Sequence, residues 1–142
     1  MKRIVPVARR LLGLAFVVFS ANYFVPFLPQ QTPPPDALAF VLAFKGSGLL
    51  TFIKVIELAA GLALIANVAP ALAATLLAPI IVGIVWFHAS LAPEGLPIVL
   101  VLLVLELVIA WGYRAAFAPM LRIRVAPTTT EASPTLVVRT AP

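Results

Sequence analysis

The chain has no cysteine, one histidine and five acidic residues in 142 positions, and only 11% of its residues are charged. Without cysteine, disulfide exchange, thiolate catalysis and cysteine-ligated zinc or iron–sulfur centres have no residues to use. One histidine with no second histidine or cysteine beside it does not make a metal site. A soluble domain carries about a quarter charged residues, so this chain lacks the polar surface that water demands. What it has instead is 63% hydrophobic residues. That much apolar surface cannot hide inside one small globule, and a lipid bilayer is the partner its composition calls for. The net charge of +5 does not read as nucleic-acid binding, because the basic residues gather at the chain ends and not along a helix face. Beside apolar runs they set orientation and meet anionic lipid.

A spanning helix needs roughly 20 mostly apolar residues. Four segments qualify: 11–28, 48–68, 71–91 and 96–113. Pro29 and the run Pro33-Pro34-Pro35 end the first span and forbid helix behind it. Asn67 with Pro70, and Pro93-Glu94-Gly95, mark tight turns after the second and third. Connections that short make spans two, three and four antiparallel neighbours. The expected fold is therefore all-α, a four-transmembrane-helix bundle over residues 1–121. The apolar stretch 36–44 is too short to cross. It is expected as a short interfacial helix between spans one and two, with Asp36 as N-cap. Residues 122–142, rich in Thr, Pro, Ala and Ser, are expected to be a flexible cytoplasmic tail.

Four spans put both ends on one side. Lys2, Arg3, Arg9, Arg10, Arg114, Arg122, Arg124 and Arg139 lie at those ends, whereas the opposite loops offer Lys45 alone. The positive-inside rule then predicts an integral protein of the cytoplasmic membrane with both termini cytoplasmic. A cleavage site after Phe19-Ser20-Ala21 has bulky Phe where a small residue is wanted, so span one reads as retained.

Charged residues inside the spans are the candidates for function, since an ionisable group at bilayer depth requires a partner. Lys54 and Glu57 stand in span two and Glu106 in span four. The i,i+3 spacing lets Lys54 meet Glu57 on one helix face. Gly61 falls near the same face and admits a neighbouring helix. Counting about 1.5 Å per residue from the external span ends puts Asn22 and Lys54 about 9 Å deep, Glu57 and Glu106 about 14–15 Å, and His88 about 5 Å. The expected site is thus one polar network of Asn22, Lys54, Glu57, His88 and Glu106, with Lys54 between the two carboxylates. One lysine cannot neutralise two acids, so Glu106 is expected to keep its proton. The same residues also read as a structural pair that fixes helix registry. Tyr23, Trp86, Trp111 and Tyr113 read as packing or interfacial anchors, and Pro79 as a kink in span three. No phosphate-binding loop, nucleophile elbow or catalytic triad is present, so no catalytic residue is assigned.

The order and spacing of several segments resemble the DoxX-like family of small bacterial membrane proteins over about residues 9–121. They are Arg10-Leu-Leu-Gly-Leu-Ala-Phe-Val-Val, Asn22-Tyr-Phe with Pro26-Phe-Leu-Pro, Ser47-Gly-Leu-Leu, and Lys54-Val-Ile-Glu57 followed by Gly61. Ala78-Pro-Ile-Ile-Val, Phe87-His88, Gly95-Leu-Pro and Glu106 with Trp111-Gly-Tyr-Arg-Ala-Ala-Phe complete the set. The resemblance implies a four-helix integral membrane protein. It further implies, as one reading, a membrane subunit of a quinone-linked oxidoreductase that binds quinone as cofactor and works with a redox partner subunit. The other reading is a non-catalytic subunit or scaffold. The small residues Ala59, Ala63, Ala74 and Ala78 would allow an oligomer.

Overall fold

The computed structural model describes residues 3–29, 32–121 and 123. Four helices long and apolar enough to cross a membrane make up most of it. Helix α1 covers Ile4–Phe24, α3 Leu49–Ala66, α4 Pro70–Leu91 and α5 Leu96–Gly112, with a shorter helix α2 over Pro35–Gly46. A 3-10 turn, Pro93–Gly95, leads directly into α5. The chain is therefore an all-α membrane protein with a four-helix bundle, as its composition predicts. The tail expected over 122–142 lies outside the described residues, apart from Ile123.

Spans two to four end where their turn residues stand. Asn67 adopts the left-handed conformation (φ 59°) as C-cap of α3, and the Val68 N–H donates back to the Ala63 carbonyl at 2.9 Å. That closure satisfies carbonyls the helix end would otherwise leave orphaned. Span one differs from the sequence reading at both ends. It stops at Phe24 and not at Leu28, because Val25 precedes Pro26 and a residue before proline is pushed out of the helical region; its φ is −131° and ψ 96°. It starts at Ile4 and not at Leu11, since Arg9 and Arg10 continue the helix. Pro6 fits there because the first turn needs no donor from it. Asp36 is likewise not the N-cap of α2: Pro34 holds that position and Pro35 is the first helical residue.

The bundle closes as a ring in which α1 packs on α3, α3 on α4, α4 on α5 and α5 on α1. Leu12 and Phe16 of α1, Leu64 of α3, Leu77 and Ile81 of α4, and Ile109 of α5 fill the centre. The outer faces carry Leu14, Phe52, Val82, Trp86, Val101 and Leu107, each more than half exposed. A soluble monomer does not display apolar surface on every side; here it faces lipid. The tightest helix contact is α1 on α3. A Cβ added to Gly13 would lie 2.7 Å from the Gly61 carbonyl oxygen, and one on Gly61 would lie 2.9 Å from that of Gly13. The paired glycines let two backbones touch, which is how helices adhere in lipid.

Helix α2 lies against α3 and α4 at the end of the bundle remote from Ile4. Its Phe40 ring sits 5.6 Å from Phe87 of α4 and stacks on Phe44 at 5.2 Å. At this same end the Tyr23 hydroxyl meets Thr51 Oγ1 at 2.6 Å, and Lys45 Nζ stands over the Tyr23 ring. At the opposite end the Tyr113 hydroxyl donates to Asn67 Oδ1 at 3.2 Å. The two tyrosines thus tie helix ends together at the two limits of the apolar layer.

Candidate functional site

Under α2, the bundle forms a half-open cavity of about 850 Å³. Phe16 and Phe19 of α1, Phe40 and Phe44 of α2, Ile53 of α3, Ile84 and Phe87 of α4 and Leu102 of α5 supply its apolar walls. Pro79 also borders it. A proline inside a helix removes one backbone donor, and α4 runs unbroken through it from Pro70 to Leu91. Lys54, Glu57 and His88 are the titratable side chains on the wall.

Lys54 Nζ donates to Glu57 Oε2 at 2.6 Å, and Ser20 Oγ of α1 donates to the same oxygen at 3.0 Å. Glu57 is 1% exposed, whereas the lysine side chain keeps 19%. The i,i+3 spacing delivers this pair as the sequence implies. The Ser20 hydroxyl, unnoticed in the sequence, joins it to α1. It was legible in principle: Gly13, Phe16 and Ser20 fall on one helical stripe, and all three are buried. A charge-assisted bond in an apolar layer is stronger than its equivalent in water. The three residues therefore fix the α1–α3 register as well as the lysine.

His88 occupies the last turn of α4, and its Nδ1 lies 2.9 Å from the Ile84 carbonyl. A carbonyl only accepts, so Nδ1 carries the hydrogen. Gly95 makes room for the ring: a Cβ there would stand 2.5 Å from Nε2.

The other two expected members lie elsewhere. Asn22 Oδ1 accepts the Phe27 and Leu28 backbone N–H groups at 2.9 and 2.8 Å, closing the turn after α1. Glu106 is buried one helical turn beyond Leu102, with Oε2 enclosed and unbonded. Lys54 does not bridge it to Glu57. The ion pair found among the described residues is Lys54–Glu57 alone. The helices are staggered, which accounts for this. Gly13 faces Gly61, and Gly112 faces Val5, whose Cγ2 would lie 2.5 Å from an added Cβ. From those levels, at about 1.5 Å per residue, Glu106 stands about 9 Å from Glu57 along the bundle but only about 3 Å from Arg9.

Arg9 is the residue the sequence reading misplaced. Its position in the chain places it with the flanking basic residues, yet it is 5% exposed and turned into the bundle. Its Nη1 donates to the Leu64 carbonyl and reaches that of Ile65 at 3.4 Å, so it caps the end of α3. Its Nε is buried without a partner. The interior thus holds two cations and two carboxylates. One pair is joined at the cavity; the other two residues lie at similar height in the half near the chain ends. Among the described residues, no three His, Cys, Asp or Glu side chains converge as a metal site would require.

Comparison with protein-family models, with curated proteins and with solved structures gave no match.

Proposed function

We propose that this protein is a DoxX-like subunit of the bacterial cytoplasmic membrane, with both termini cytoplasmic and no catalytic group of its own, whose bundle holds a lipophilic molecule. The observation that carries this reading is the cavity. Its volume falls within the roughly 300–1,000 Å³ typical of small-molecule sites, and such sites combine apolar walls with a few placed polar groups. Lys54, Glu57 and His88 are those groups here. A quinone, the ligand the family resemblance implies, would meet hydrogen-bond donors on this wall, and its electrons would come from a partner subunit.

Gly83 gives the test. It lines the cavity, and a Cβ added there meets nothing within 4 Å. Gly83→Leu is therefore expected to fold normally and narrow the cavity. Solvent extracts of the purified protein should contain a lipophilic molecule, with quinone absorbance if it is one, and extracts of Gly83→Leu should contain less. Equal amounts from both, or none from either, would sink the proposal.

A second reading has its own observation. Ser20, Glu57 and Lys54 form a closed lock between α1 and α3, which is what a scaffold needs. In that case the wild-type extract is empty, and substitutions in the lock lower stability only.

A further inference from the structure

We infer that the cavity selects an uncharged occupant whose head accepts a hydrogen bond, a class represented by a long-chain alcohol, over fatty acids and amphipathic amines. This rests on the ligand-holding reading above. The argument begins with charge. The wall carries one ammonium and one carboxylate, already joined at 2.6 Å, so its polar patch is neutral before anything enters. A carboxylate head would place two negative groups around one lysine. An ammonium head would place two positive groups around one glutamate. Either brings an unbalanced charge out of water, and such a charge is costly.

The remaining hydrogen-bonding capacity sets the head group. An ammonium has three donors; Lys54 uses one on Glu57. His88 commits its Nδ1 hydrogen to the Ile84 carbonyl, so its Nε2 is an acceptor. The wall therefore offers donors from lysine to an uncharged head group that can accept, a hydroxyl or a carbonyl. Gly95 holds the histidine ring in its orientation by having no side chain to displace it. The aromatic walls accept an alkyl or isoprenoid body without further polarity.

The test uses the full chain purified in a neutral detergent. Hexadecanol, palmitate and hexadecylamine are offered in turn at mildly alkaline pH, where the acid and the amine are both charged. Native mass spectrometry reads the bound fraction. We expect hexadecanol to bind at least about tenfold more tightly than either charged probe. We expect all three to bind more weakly in Gly83→Leu. Two substitutions should then invert the preference. Lys54→Ala leaves Glu57 alone and should favour the amine; Glu57→Gln leaves Lys54 alone and should favour palmitate. Equal binding of all three, weakened in Gly83→Leu, would keep the cavity reading and overturn this selectivity. Preference for a charged probe by the unaltered chain would overturn it too. Binding of bilayer phospholipid only, or of no probe, would remove both. Because the unaltered chain decides between the three probes, the outcome does not hang on the variants folding.

Discussion

The two halves of the bundle treat buried charge differently. In the half under α2, Lys54, Glu57 and Ser20 are bonded together at the edge of an 850 Å³ cavity. In the half near the chain ends Val5 is seated on Gly112 beside a smaller groove of about 360 Å³ between α1 and α5, and the polar groups are incompletely matched. Arg9 spends its guanidinium on the carbonyls of α3, and Glu106 Oε2 has no partner. The contrast teaches that the polar residues of a membrane bundle do separate jobs. One set is neutralised beside the larger cavity. The other fastens helix ends.

Four substitutions can break or sharpen that contrast, measured as unfolding free energy in detergent or bicelles. Glu57→Met should cost the most, about 3–5 kcal/mol, because it strands a partly buried ammonium. A loss below about 1 kcal/mol would mean that Lys54 already escapes to water. Gly13→Leu should follow at about 1–3 kcal/mol, since overpacking must part α1 from α3. Cysteine pairs across that interface, available in a chain with no native cysteine, should then cross-link more slowly. Arg9→Met is expected to cost about 1 kcal/mol, the penalty for a buried carbonyl losing a donor. It should also raise hydrogen exchange at Asn67 and Val68, the turn it steadies. Glu106→Leu should have the smallest effect, unchanged or slightly more stable, because an unbonded buried carboxyl is itself a cost. A clear destabilisation would show that Glu106 is paired in the membrane, with Arg9 the nearest cation by height.

Much of this was readable from residues alone. Asn67, Pro70, Pro93 and Gly95 fixed three spans to within two residues, because turn-forming residues act locally. The Lys54–Glu57 pair was readable for the same reason: i,i+3 neighbours meet whatever the rest of the fold does. Gly61 at the helix contact was readable as well. Heights across different helices were not. Treating the external span ends as level put Glu106 beside Glu57, whereas the seating of Val5 on Gly112 shifts α5 along the bundle. Arg9 was obscured by its neighbours, since a basic residue close to a chain end reads as a flank. Its place four residues before Gly13, on the buried stripe of α1, was the available signal. The cavity had no sequence signature, because it arises from how α2 covers α3 and α4.

One measurement reaches the centre of this account: the double-mutant cycle of Lys54→Met, Glu57→Met and the two combined. If the charges survive in lipid by turning toward each other, each single variant loses stability and the double variant recovers most of it, matching or exceeding the unaltered chain. If the losses simply add, or if Lys54→Met alone costs nothing, the two side chains are not sustaining one another, and the account is wrong.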